Sequence, residues 1–407
     1  MATPDVTVLE VLLHGEVIGT LTSLPGDRSI FAFSEEYIAD QSRPLLSLSF
    51  KDDLGGLITN VRPTRTRVAP FFANLLPEGA MRQYLADKAG VDPAREFFLI
   101  WVLGQDLPGA VRIRQSDGRA LPPASAGDSR DRRGAVLRFS LAGVQLKFSA
   151  FLEARGGLTI SAEGVGGSWV VKLPSASFEG VPENEFSMMS LAKAAGMDVP
   201  EVRLVALDAI ANLPDGIGRL KGRAFAVRRF DRAADGTAIH MEDFAQIFGV
   251  YPDDKYRKAS YRNLASVIWA EIGEVGITEF VHRLVFSGLI GNADMHLKNW
   301  SLVYPDGRNA RLAPAYDFVS TIAYLDDPAM ALNVVRTKRR DELTWDELSY
   351  LAARAQLPER LVLATAREAV RRFREAWASE RKHLPIDAAV ARAIERNIAT
   401  IPIAGGG

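Results

Sequence analysis

The chain contains no cysteine, which excludes disulfides, thiolate zinc sites and thiol nucleophiles together. Histidine is scarce, with five residues among 407 and none at the i, i+4 spacing of a helical metal site, so zinc chemistry is not expected. No run of about eighteen apolar residues is present, and the N-terminus lacks the basic, apolar, small-residue order of a signal peptide. No membrane contact and a cytoplasmic address are the expectation. An excess of either charge is also missing: 49 Lys and Arg face 50 Asp and Glu, for a net charge of -1. Nothing therefore draws the whole surface to nucleic acid, and any such contact has to be local or supplied by a partner.

What is present suffices for a large core. With 47% hydrophobic and 24% charged residues, a chain of this length is expected to form two or three packed units. Residues 1–115 mix strand-like runs (6–13 and 45–50) with a helical stretch at 71–89, reading as an N-terminal α+β subdomain. Residues 116–133, rich in Pro, Ser, Gly, Asp and Arg, have the composition of a linker or mobile loop. Short strands then dominate residues 134–230 (135–139, 157–161, 168–173 and 224–229), interrupted by one helix at 183–196. From 231 to 403 the pattern becomes amphipathic helices at 261–271, 277–290, 345–355 and 359–382. The tail from 404 to 407 looks too short and small to pack. The expected fold class is α+β: a bilobal, protein-kinase-like arrangement with a strand-rich N-lobe, a helical C-lobe and an added N-terminal subdomain.

The densest chemistry lies in G-N-A-D-M-H-L-K-N at 291–299 and A-Y-D-F at 315–318. In a kinase the catalytic-loop Asp receives the substrate hydroxyl proton, an Asn five residues later binds magnesium, and a downstream Asp binds magnesium under the phosphates. Asp294 and Asn299 have that spacing, and Asp317 follows a strand-like segment at 300–304 and a Pro-Asp-Gly turn at 305–307, the hairpin that returns a ligand to the same cleft. A polar turn after a buried helix also uses Gly, Asn and Asp. However, titratable groups crowded directly after an apolar stretch need a ligand or a network to satisfy them. His296 and Lys298 are candidate catalytic or structural neighbours. In the strand S-W-V-V-K-L, Lys172 is placed to reach nucleotide phosphates, with Glu185 as its holding acid and Glu183 as second choice. A strand lysine can equally snorkel to water. Residues 138–147 form a turn with one glycine whose backbone N–H groups could cover phosphates, a weaker signal than a Walker loop.

Five ordered motifs resemble the HipA family, serine/threonine kinase toxins of bacterial toxin-antitoxin modules: S-L-A-G-V-Q-L-K at 140–147, W-V-V-K-L-P at 169–174, F-D-R at 230–232, G-N-A-D-M-H-L-K-N at 291–299 and A-P-A-Y-D-F at 313–318. F-F-A-N-L-L-P-E-G at 71–79 extends the resemblance into the N-terminal unit. The resemblance implies ATP and Mg2+ as cofactors, Asp294 as catalytic residue, and Asn299 and Asp317 as magnesium ligands. It also implies Lys172 on the ATP phosphates, with Ala142, Gly143, Val144, Gln145 and Lys147 in the covering loop. Ser140 is implied as an autophosphorylation site, where a phosphate would add about two negative charges beside the nucleotide. Val227 and Phe230 are expected to line the adenine pocket; the adjacent Arg228-Arg229 departs from an expected acidic residue and puts the hinge contacts in doubt. The implied partners are a HipB-like helix-turn-helix antitoxin, through which alone DNA is met, and an aminoacyl-tRNA synthetase as protein substrate, whose modification arrests growth. Basic runs at 336–340 and 371–374 read either as solvated faces or as contacts to a phosphate-rich partner. The competing readings are a small-molecule or lipid phosphotransferase, a catalytically silent antitoxin-binding scaffold, and a nucleotide-binding regulator.

Overall fold

Alternation of buried and exposed side chains builds the first layer. In this computed structural model the described residues are 7–116, 147–152, 158–160, 166–175, 177–213, 220–325 and 327–405. Strands β1 (Val8–Leu13), β2 (Glu16–Leu24), β3 (Arg28–Phe33), β4 (Thr64–Arg65) and β5 (Val111–Gln115) form an antiparallel sheet in the order β4-β3-β2-β1-β5. Its apolar face packs on helices α1 (Glu35–Ala39), α2 (Pro70–Ala73), α3 (Gly79–Ala89) and α4 (Glu96–Leu103), around Phe31, Phe50, Phe71 and Phe72. The second sheet comprises β6 (Lys147–Leu152), β7 (Leu158–Ile160), β8 (Trp169–Lys172), β9 (Val202–Ala206), β10 (Ile210–Ala211) and β11 (Arg223–Arg228), ordered β10-β7-β6-β8-β11-β9. Helix α5 (Val181–Ala194) packs against β9 and β11.

The remaining elements form the helical part. They are β12 (His240–Asp243), α6 (Phe244–Ile247), α7 (Tyr261–Glu271), α8 (Glu274–Ile290), β13 (Ser301–Tyr304), β14 (Arg311–Leu312), α9 (Trp345–Arg354), α10 (Glu359–Glu380) and α11 (Ala388–Thr400). Helix α8 is buried almost all round after its first turn and packs on α7, α10 and α11. It ends at Gly291, whose φ of +67° suits glycine, and a Cβ there would collide with Ile322. The chain leaving α8 becomes the loop 291–299, and the small sheet β12-β13-β14 then returns it toward Asp317.

Three local expectations are corrected. Residues 45–50 are not a strand: Ser47 caps a 3-10 turn at Leu48–Phe50, and the Leu45 N–H is used by the Gly307 carbonyl. The stretch 71–89 is two helices, because Pro77 and the positive φ of Gly79 interrupt it. In the tail 404–407 Ala404 does pack: it is buried and its carbonyl accepts from Arg374, while Gly405 is exposed and 406–407 lie outside the described residues.

Two buried polar networks join the first sheet to the rest. Glu242, on β12, accepts from Ser47 Oγ, the Leu48 N–H (3.0 Å) and Tyr304 OH (2.6 Å). Burial pushes its carboxyl up to about 7 despite those donors. The folded state thus keeps a proton that the unfolded state releases above its ordinary value of about 4.5, and this contribution to stability is lost as pH rises toward 7. Glu242→Gln is expected to remove that part of the slope, on the order of 3 kcal/mol, in urea midpoints compared at pH 5 and pH 8; parallel pH dependences in the two proteins would refute the assignment.

The second network surrounds the side chains of Asp106 and Asp231, both nearly covered. Arg229 donates to Asp231 Oδ2 (2.8 Å) and Asp106 Oδ1 (3.0 Å), Arg232 donates to both carboxylates, and the Gly109 N–H donates to Asp231 (2.9 Å). Burial alone would raise the Asp231 carboxyl; Arg229 and Arg232 outweigh it and hold it low. The basic pair next to F-D-R is thereby explained: Arg229 clamps the N-terminal subdomain, while Arg228 is exposed. Arg229→Met is expected to cost about 3–5 kcal/mol, because it strands buried carboxylates, and a urea midpoint shift equivalent to under 1 kcal/mol would contradict this.

Candidate active site

Register places the first charges. In the β6–β8 pairing Lys147 lies directly opposite Lys172, and β11 brings Phe225 opposite Lys172 from the other side. Directly opposed residues share a face, and opposed like charges repel. Here both ammonium groups converge on one acid. Lys172 Nζ, 6% exposed, donates to Glu185 Oε1 on α5 and to Asp317 Oδ1, while Lys147 Nζ lies 3.5 Å from Asp317 Oδ2. Burial opposes the Lys172 charge, but Asp317 and Glu185 overcome it and raise its pKa. Burial likewise works against the Asp317 carboxylate, and the two lysines hold it ionised far below the usual range. Burial pushes Glu185 up to about 7, with Lys172 opposing and Asp317 reinforcing. Asp317 itself has φ +56°, a left-handed conformation uncommon for a residue with a side chain and a feature found at functional sites. Glu183, the alternative acid, pairs with Arg223 instead (3.0 Å).

Loop 291–299 is shaped by its own asparagines. The Asp294 N–H donates to Asn292 Oδ1 (2.8 Å), and Asn299 Nδ2 donates to the Asp294 carbonyl (2.8 Å), closing the five-residue interval into one turn. The Asp294 carboxylate is half-exposed, accepts from Tyr256 OH, and has its pKa raised by burial against that hydrogen bond. Neither Asn299 Oδ1 nor the remaining edge of Asp294 accepts a hydrogen bond from the described residues. The Asn299 amide oxygen and the Asp317 carboxylate are oxygen donors of the kind that suit Mg2+, which keeps several ligands for water and phosphate. Among the described residues no group of three or more His, Asp or Glu forms an all-protein metal cage.

His296 is buried, with Nδ1 unpartnered and Nε2 4.0 Å from Asp294 Oδ1, beyond hydrogen-bond length. Burial, reinforced by Lys255, lowers it to about 3, so the imidazole stays neutral at physiological pH. A pH–rate profile is therefore expected to lack a His296 limb between about pH 5.5 and 7.5. An ascending limb there that disappears in His296→Gln would reverse this conclusion. Lys298 turns away from the acids of the cleft. Its Nζ donates to the Asn74 carbonyl (2.7 Å) and Oδ1 (3.1 Å) and lies 3.3 Å from Asp243 and 3.7 Å from Glu78, which also pairs with Lys255 (2.7 Å). Phe230 packs on the Tyr316 ring at 5.3 Å, and Val227 is half-buried on β11. Ser140, Ala142, Gly143, Val144 and Gln145 lie outside the described residues.

Three contributors escaped the sequence reading: Asn74, Glu78 and Tyr256. Asn74 and Glu78 sit in the F-F-A-N-L-L-P-E-G stretch, whose spacing signals no partner 224 residues away. Asp243 and Gln246 form a capping box on α6, a pattern visible in E-D-F-A-Q. Tyr256 has no sequence signature. The basic runs are largely matched: Arg336 with Asp346 and Glu347, Arg339 with Asp341, Arg371 with Glu368 and Glu375, and Arg372 with Glu368, while Arg340 and Arg374 donate to backbone carbonyls.

A strand-borne lysine held by a helix glutamate, facing a loop Asp, an Asn and a returning Asp between a sheet-rich and a helical part, defines a protein-kinase-like α+β protein. Residues 139–377 match the HipA-like C-terminal domain and residues 9–114 the HipA N-terminal domain. The chain belongs to the HipA family. It is 56% identical over 403 residues, 98% of each chain, to the Sinorhizobium fredii protein named "Putative kinase Y4dM". To Y4mE of that organism, which carries the same description, it is 33% identical over 81% of each chain. The serine/threonine-protein kinase toxin HipA of Shewanella oneidensis is 26% identical over 95% of this chain and 92% of its own. The solved complex of Shewanella oneidensis HipA with HipB and operator DNA has the same fold, with a TM-score of 0.72 at 24% identity over 96% of this chain and 94% of that one. Among the described residues no helix is long and apolar enough to cross a membrane.

Proposed function

We propose that this protein transfers the γ-phosphoryl group of ATP to a serine of a protein substrate. The observation that carries the reading is the convergence of Lys147 and Lys172 on Asp317, beside the Asp294–Asn299 turn. Two opposed lysines with one shared carboxylate suit a polyphosphate accompanied by a divalent cation. In this reading Asp317 and Asn299 would hold Mg2+, which would offset phosphate charge when bound with ATP. Lys172 gives up Asp317 and contacts phosphate while Glu185 keeps it in place, and Lys147 offers a second positive charge. Asp294 accepts the serine proton through its carboxylate. His296 and Lys298 shape the loop from behind. The segment holding Ala142, Gly143, Val144 and Gln145 covers the nucleotide, Val227 and Phe230 line the base, and Ser140 is the site of self-modification.

Family membership supports three finer assignments that we also propose: an aminoacyl-tRNA synthetase as substrate, growth arrest as the consequence, and neutralisation by a HipB-like DNA-binding antitoxin. The division into residues 1–115, 116–133, 134–230 and 231–403 belongs to the same proposal. The test is mass spectrometry of the purified protein and of a cell lysate after incubation with Mg-ATP, for wild type and Asp294→Asn. Phosphate on Ser140 or on a synthetase, absent with the variant, supports the reading. Equal labelling by both proteins, or none by either, removes it.

A further inference from the structure

We infer that the Tyr256 hydroxyl occupies the position of the acceptor hydroxyl on Asp294, so that Tyr256 gates the acceptor site and has to leave before a substrate, or water, can react. The inference rests on the kinase reading and adds to it a residue that controls entry.

Four observations carry it. Tyr256 OH donates to Asp294 Oδ1, and a proton-bearing hydroxyl against this carboxylate is the contact an acceptor serine would make. Its ring stands edge-on to His296, with centroids 4.8 Å apart and planes at 85°, so the hydroxyl is aimed rather than resting there by chance. The residue is 36% exposed, which leaves a way out toward solvent. Finally, its segment is tied to the cleft through the preceding Lys255, whose ammonium pairs with Glu78 (2.7 Å) and whose carbonyl accepts from the Leu297 N–H (3.3 Å). Burial pushes the phenol pKa up, reinforced by Asp294, so Tyr256 remains a donor throughout the physiological range.

A tyrosine that merely positioned Asp294 and one that fills the acceptor position predict opposite results. Tyr256→Phe keeps the ring and removes the donor. If the hydroxyl is an occupant, the variant admits water to Asp294, and ADP formation from Mg-ATP without a protein acceptor is expected to rise about three- to tenfold. Tyr256→Ala is expected to show the same rise, and added phenol, filling the vacated space, is expected to suppress it. Unchanged or slower hydrolysis by Tyr256→Phe, or failure of phenol to suppress the Tyr256→Ala rate, overturns the inference. Thermal unfolding of both variants separates a misfolded variant from a real loss. If wild type labels protein in a lysate but Tyr256→Phe hydrolyses ATP no faster, only the gate fails. If no protein is labelled and neither variant hydrolyses ATP, the kinase reading fails and takes the gate with it.

Discussion

Replacing Asp294 with asparagine is expected to lower phosphoryl transfer by about 10²- to 10⁴-fold, the usual worth of a positioned general base, with stability changed by no more than about 0.5 kcal/mol. The second half of the expectation follows from the geometry. Asp294 is half-exposed, and among the described residues its side chain hydrogen-bonds only to Tyr256, whose hydroxyl an amide oxygen can also accept. The loop is held by other groups, the Asp294 N–H on Asn292 and the Asp294 carbonyl on Asn299, and neither depends on the carboxylate. Labelling of a lysate with Mg-ATP, together with a urea midpoint, measures both parts. A variant with full transfer activity would show that Asp294 is not the base.

Lys172→Met is expected to have the largest combined effect, with transfer lost and about 3–5 kcal/mol of stability removed. The side chain lies between Glu185 and Asp317, with Glu185 itself buried. Without the ammonium, two carboxylates are left together with, among the described residues, only Lys147 at one edge. Asp317→Asn is the informative partner. It also abolishes transfer but leaves Lys172 paired with Glu185, and its site is more open, so its stability cost is expected to be clearly smaller. Equal costs in urea would mean that Lys172 is stabilised chiefly by packing against Phe225, 5.5 Å from its ammonium, rather than by its acids.

The ease of reading each part of this sequence tracks physical locality. Helices α7, α9 and α10 follow from amphipathic periodicity almost to the residue, because one face of each meets the core and the other meets water. Helix α4 gave no such signal, since E-F-F-L-I-W-V-L is apolar round most of its circumference and buried on nearly every side. Helix α11, with its Asp387 cap and small alanine-rich face, was also passed over, although that cap is a readable start. In the site, the acids and Lys172 were legible because kinase chemistry fixes their order and spacing. The links from Asn74 to Lys298, from Asp106 to Arg229 and from Ser47 to Glu242 were not. They join residues more than 120 positions apart, through hydrogen bonds that leave no period in the sequence.

Those distant links alter what the N-terminal subdomain is. Asn74 holds the lysine that precedes the proposed magnesium-binding Asn299, and Glu78 grips Lys255 beside the tyrosine on Asp294. Asn74 and Glu78, on the connection between α2 and α3, thus make the N-terminal subdomain a wall of the proposed catalytic cleft rather than a separate module.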